Sequence, residues 1–156
     1  DYRPMTGPMR KLRVKLEVDT NPPTGASYDM PVLDYPFPSA VRVFDLPSLF
    51  AGKIHALLCR KYLKGRDWYD FIWYTARGVA ANQVLLSAAL SQVGPWRGQD
   101  VTTDAAWVSA KFEAKIAEID WRQARDDVRR FLRPQELPSL ELWSSQFFLN
   151  QCRKLV

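Results

Sequence analysis

The chain has 156 residues, 47% of them hydrophobic and 25% charged, the balance of a single globular domain rather than of a disordered tail or a fibrous chain. A net charge of +5 with a pI near 9.4 is compatible with an anionic partner such as RNA or a nucleoside triphosphate, but it singles out neither. No apolar run approaches the roughly 20 residues of a membrane-spanning helix and no signal-peptide pattern opens the sequence. The two cysteines, Cys59 and Cys152, sit among apolar neighbours like buried free thiols, so the expectation is a cytoplasmic protein with no membrane partner.

In chain order, Leu12 to Asp19 alternates apolar Leu12, Val14, Leu16 and Val18 with polar Lys11, Arg13, Lys15, Glu17 and Asp19, which predicts a strand with one wet face. Thr20-Asn21-Pro22-Pro23-Thr24-Gly25 ends it, because consecutive prolines cannot continue a ladder. Extended pieces follow at Tyr28 to Leu33 and Ala40 to Phe44, parted by Pro36-Phe37-Pro38. After Asp45 the period becomes helical, with Leu46, Leu49, Phe50, Ile54, Leu57 and Leu58 on one stripe, Asp45 or Ser48 as cap, and an end near Tyr62.

Gly65 reads as a helix breaker, and a second, aromatic-rich helix follows from Arg66 until Gly78 takes the C′ position. Helical patterns recur at Asn82 to Val93, Asp104 to Glu118, Trp121 to Leu132 and Leu140 to Cys152, with Pro95 to Thr103 as the exposed linker. Strands first and helices afterwards imply an α+β fold, a small mixed β-sheet followed by a helical C-terminal half.

Three clusters could carry chemistry. Glu17 and Asp19 lie two residues apart on the wet face of the first strand and could share a divalent cation, although a Lys15–Glu17 pair on a solvated edge explains them as well. Lys53 sits at the border of the apolar stripe, one turn from Leu49 and Leu57 and two from Arg60, so a partly buried stem would present its ammonium to phosphate or simply to solvent. Asp67 and Asp70 share a helix face just after Gly65, beside Arg66, where capping alone favours an acid. Arg122, Arg125, Arg129 and Arg133 form a basic stripe that Asp126 and Asp127 blunt, which reads as a solvated helix with internal ion pairs. Among rival chemistries, the only Glu-x-Lys, Glu113-Ala114-Lys115, falls in a helical pattern instead of the strand that a metal-dependent nuclease requires. The single His55 leaves little material for a hydrolytic triad, no Cys/His cluster has zinc spacing, and no glycine-rich loop is present to cradle phosphates.

Read together, Lys15-Leu16-Glu17-Val18-Asp19, then Val43 to Arg60 with its Lys53-x-x-Ala56-Leu57-x-x-Arg60 helix, then Gly65-Arg66-Asp67-Trp68-Tyr69-Asp70, resemble the nucleotidyltransferase AbiEii/AbiGii toxin family. The resemblance runs from about Arg10 to Arg77 and more loosely through the helical remainder. It implies a polymerase-β-like nucleotidyltransferase fold and a toxin of a toxin–antitoxin or abortive-infection system, which moves a nucleotide from an NTP to a tRNA-like RNA or protein acceptor with Mg²⁺. By resemblance Lys53 and Asp67 are catalytic, Lys53, Arg60 and Arg66 bind the NTP, Glu17 or Asp19 holds metal, and Asp70 supports Asp67. A cognate antitoxin is the implied protein partner. Residues 1–64 would be the remnant of the nucleotidyltransferase sheet domain with its motif helix, and 65–156 a helical region packed on it. The family's first motif, a Gly-Ser or Gly-Gly turn with Asp-x-Asp, has no counterpart in this sequence, which opens at Asp1 with a patterned strand close behind. The alternative expectation is therefore a catalytically incomplete fragment that acts only as a binding or structural module.

Overall fold

The computed structural model describes residues 14–155; the part of the first strand at Lys11, Leu12 and Arg13 lies outside them. The fold is α+β. Four two-residue strands, β1 (Tyr28–Asp29), β2 (Val32–Leu33), β3 (Ser39–Ala40) and β4 (Val43–Phe44), form nested antiparallel ladders, β2 with β3 inside β1 with β4. The outer ladder puts Tyr28 opposite Phe44, and their rings stack at 5.1 Å. Among the described residues six α-helices follow: α1 (Leu46–Cys59), α2 (Gly65–Ala76), α3 (Gln83–Gln92), α4 (Ala105–Ala117), α5 (Trp121–Arg129) and α6 (Ser145–Cys152).

The alternating stretch Val14–Asp19 forms no strand, and Val14, Leu16 and Val18 are exposed. A strand exists only where a neighbour closes its ladder, and no described residue pairs with this one. Its polar side does make the local Lys15–Glu17 ion pair.

Helix starts follow their caps. Asp45 accepts from the Ser48 amide at 2.9 Å, Asn82 from Leu85 at 3.0 Å and Asp104 from Trp107 at 2.7 Å, and Asp120 accepts from both Arg122 and Gln123. Ser48, the other candidate cap, is instead buried. Its hydroxyl accepts from the Ser27 amide and from Asn82 Nδ2, tying the strand segment to the starts of α1 and α3.

The fifth helix ends at Arg129, three residues before the expected Leu132, and three other boundaries differ from the sequence reading. First, α1 stops at Cys59, and Arg60 leaves it in an extended conformation rather than continuing to Tyr62. Second, the last predicted helix divides into a 3₁₀ segment at Leu137–Leu142 and α6, because Ser144 caps α6 while Trp143 turns in against Trp121 and Phe148. Third, Gly65 opens α2 instead of breaking α1. A Cβ there would lie 2.1 Å from the Ala124 carbonyl oxygen, so glycine is what lets α2 meet the α5 backbone. Gly78 does take the left-handed C′ position, with φ +62° after the Arg77 cap.

One hydrophobic cluster runs from Phe50 on α1 to Cys152 on α6, with Trp68, Phe71, Phe112 and Phe148 at its centre. Trp68 meets Phe71, Phe112, Trp121 and Phe148 edge-on or tilted at 5.1–6.1 Å, and each such buried ring contributes about 1.5–3 kcal/mol by burial. With Trp68 and Phe71 facing this core, the opposite edge of α2, carrying Asp67, Asp70 and Trp73, lies toward α1.

Candidate functional site

The turn from Arg60 to Lys64 brings α2 back beside α1. On α1, Leu49, Gly52, Lys53 and Ala56 recur at three- and four-residue steps and share one face, which Arg60 continues just past the helix end. On α2, Asp67, Asp70, Trp73 and Tyr74 do the same. Between them lies an open groove of about 610 Å³, lined by the α1 face and by Asp70, Trp73 and Tyr74.

At one end of the groove Lys53 Nζ reaches Asp67 Oδ1 at 3.0 Å and Asp70 Oδ2 at 2.7 Å, and Arg60 Nη1 pairs with Asp67 Oδ2. Asp67 is 2% exposed. Both its oxygens are taken by cations, which is the condition under which a buried carboxylate stays charged at tolerable cost. The Asp67 amide donates to the Lys64 carbonyl, so its carboxylate is not the helix cap; Asp127 Oδ2 serves that end by accepting from the Gly65 amide at 2.8 Å. Lys53 donates to Asp67 and forms an ion pair with Asp70, and Arg60 keeps most of its five N–H donors for a further acceptor.

The remaining sequence candidates lie elsewhere. Arg66 is exposed with its guanidinium 4.2 Å over the Phe131 ring, and it lines neither the groove nor the pocket behind Asp67. Glu17 is paired with Lys15 in solvent. Asp19 accepts from the Asn21 amide and lines an apolar cavity of about 480 Å³ that shares Leu49 and Gly52 with the groove. His55 Nε2 lies 3.1 Å from the Val93 carbonyl oxygen, a contact that joins α1 to the end of α3. Arg129 pairs with Asp126, and Arg130 with Asp127, each at 3.8 Å, as a solvated helix with internal ion pairs would. Glu113-Ala114-Lys115 is inside α4.

The described residues contain no group of three or more His, Cys, Asp or Glu side chains able to hold a metal ion. Asp67 and Asp70 are balanced by Lys53 and Arg60, so these four residues by themselves do not fit a divalent cation. Burial raises the Tyr74 hydroxyl, with Lys53 opposing and Asp70 adding to the shift. Burial also raises the Cys59 thiol to about 11 and the Cys152 thiol to about 12, and both cysteines are free.

Sequence reasoning missed the aromatic wall. Trp73 and Tyr74 follow Asp70 by three and four residues, so helical spacing alone could have placed them with it. It missed Lys115 as well, which reaches the back of this site from α4 and leaves no local signal.

No helix among the described residues is long and apolar enough to cross a membrane. Neither the curated proteins nor the solved structures contain a match to this chain. A family model does match, over residues 1–151. The chain belongs to the family described as nucleotidyl transferase AbiEii toxin, of type IV toxin–antitoxin systems.

Proposed function

We propose that the α1–α2 groove seats the triphosphate tail of a nucleotide, with Lys53 and Arg60 donating to its phosphate oxygens, in a toxin that transfers a nucleotide to a macromolecular hydroxyl. The observation that carries this reading is the shared salt bridge. Asp67, buried between Lys53 and Arg60, fixes both cations at one end of a groove whose wall is Trp73 and Tyr74. Asp67 is thus a positioning group, and Lys53 is the group that neutralises charge on the departing pyrophosphate. Asp70 holds the Lys53 ammonium from the outer side.

Two carboxylates already offset these two cations, so the charge of a bound triphosphate calls for a further cation. Such transfers generally employ a divalent metal, and Mg²⁺ is the candidate. Its ligands would come from outside the four-residue cluster. An RNA acceptor and a cognate antitoxin complete the proposal.

The test is NTP-dependent transfer by the protein in its native context. Lys53→Ala should lower the rate roughly 10²- to 10³-fold while barely moving the melting temperature. Activity that stays within a factor of a few in Lys53→Ala, with Asp67→Ala inactive, would remove Lys53 from the chemistry.

A further inference from the structure

Beside the Arg60–Asp67 pair lies a second cavity, of about 280 Å³, which shares Ala56 and Arg60 with the nucleotide groove and is lined by Asp67 as well. Its wall is the α1–α2 turn, Arg60-Lys61-Tyr62-Leu63-Lys64, closed by Lys115 of α4 and by Gln123 of α5. The charges here are unequal. Asp67 is used by Lys53 and Arg60, and the Asp120 side chain caps α5. Glu118 alone then stands against the ammonium groups of Lys61, Lys64 and Lys115, none of which pairs with a carboxylate among the described residues.

Lys64 is lowered from its ordinary value by burial first and then by Arg60, Arg66 and Lys53, with Asp70 opposing. Of these cations Arg60 lines the cavity beside Lys64, so an anion bound there would offset both the burial and the Arg60 charge. Tyr62 projects at the rim, 65% exposed, with the Arg60 guanidinium 5.3 Å from its ring centroid. An exposed aromatic among cations is the arrangement that holds an unpaired base beside its phosphates.

We propose that this cavity binds a single-stranded RNA end, with Lys61, Lys64 and Lys115 on the phosphodiester backbone and Tyr62 under a base, so that the acceptor meets the nucleotide across the Arg60–Asp67 pair. This rests on the nucleotide reading of the first groove and adds to it the seat of the second substrate. It also moves the acceptor contact away from the α5 arginines, whose nearest acids Asp126 and Asp127 already pair with Arg129 and Arg130. Two cavities with a common wall suit a reaction whose two substrates must come in line at one point.

The experiment is fluorescence anisotropy of a labelled oligouridylate, run beside a titration of nucleoside triphosphate, on the wild type and on Lys61→Ala/Lys64→Ala, Tyr62→Ala, Arg122→Ala/Arg129→Ala and Lys53→Ala. Lys64 caps α2 without a side-chain hydrogen bond and Lys61 and Tyr62 are exposed, so these changes should leave the fold intact, which melting curves check. The double lysine variant should bind the oligonucleotide at least ~10-fold more weakly and with a salt slope shallower by about 1.5. Tyr62→Ala should lose roughly tenfold. Both should bind triphosphate as the wild type does, and Lys53→Ala should do the reverse. Oligonucleotide binding that is absent in the wild type, unchanged in the lysine variant, or lost through the α5 arginines instead would overturn the proposal while leaving the nucleotide groove untouched. An unaltered Tyr62→Ala together with equal loss of inorganic polyphosphate binding in the lysine variant would reduce the cavity to an unspecific anion patch and equally overturn it. Normal triphosphate binding by Lys53→Ala would instead count against the first groove.

Discussion

Replacing Gly65 by alanine tests how the site is held. The added Cβ would stand 2.1 Å from the Ala124 carbonyl oxygen, 3.1 Å from its carbon and 3.3 Å from the Val128 amide nitrogen, all backbone atoms of α5. No rotamer relieves such a contact, so the helices must part by about 1 Å in a core that otherwise packs without slack. Overpacking of this kind costs about 1–3 kcal/mol. Separation also stretches the 2.8 Å bond from the Gly65 amide to Asp127, a charge-assisted contact worth about 1.5–3 kcal/mol. The better helix propensity of alanine returns at most about 1 kcal/mol. The net loss should be about 2–4 kcal/mol, or roughly 5–15 °C in Tm for a chain of this size. Gly52→Ala is the control: it lies mid-helix with nothing within 4 Å of the added Cβ, so it should gain about 0.5–1 kcal/mol. Thermal melts by circular dichroism, backed by urea titration, give both values. An unchanged Tm for Gly65→Ala, or the same shift for both variants, would refute close backbone packing as the reason for Gly65. Because Asp67 follows two residues later, the destabilised variant should also bind triphosphate more weakly.

Asp67→Asn keeps the shape and removes the buried charge, leaving Arg60 without its carboxylate; about 2–4 kcal/mol of stability should go. Asp70→Asn, at a half-exposed position, should cost under about 1 kcal/mol, and denaturant melts showing the opposite order would contradict the assigned burial. Cys59 and Cys152 should alkylate at pH 8 on the order of 100-fold more slowly than free cysteine, since their thiols are raised to about 11 and about 12. A raised thiol also contributes stability below its ordinary value of 9.0 that is lost as pH climbs toward about 11 and about 12. Urea melts between pH 8 and pH 10.5 should therefore show falling stability. Tyr74 acts in the same direction and Lys64 in the opposite one, so alanine at both cysteines should flatten the fall without abolishing it; an unaltered slope would assign it to other groups.

The parts of the site that were legible in the sequence are those set by local spacing. The Lys53–Arg60 spacing and the Asp67–Asp70 face of α2 each follow from helical period, and the cap Asp45 and the helix starts read at Asn82 and Asp104 are those the structure has. What spacing could not give was how closely α2 packs on α5, which depends on Gly65 against Ala124, a contact between residues far apart in the chain. The early end of α1 was hidden for the same reason, because Arg60 turns out of the helix toward an aspartate on the next one. Val14–Asp19 shows the limit of alternation: the pattern states which face is apolar but not whether a neighbouring strand exists to pair with it.

Lys53 and Asp67 are fourteen residues apart, and Arg60 and Asp67 seven, whereas the hydroxyl of Thr75 waits for Gln151 of α6, seventy-six residues on. Joining groups so near in sequence sacrifices little chain freedom. The ionic hinge of this hairpin can therefore close without help from the far end of the polypeptide. Damage to α6 should erode the aromatic interior first and reach the paired cations last, so that a partly loosened molecule would still present its phosphate-facing charges in register.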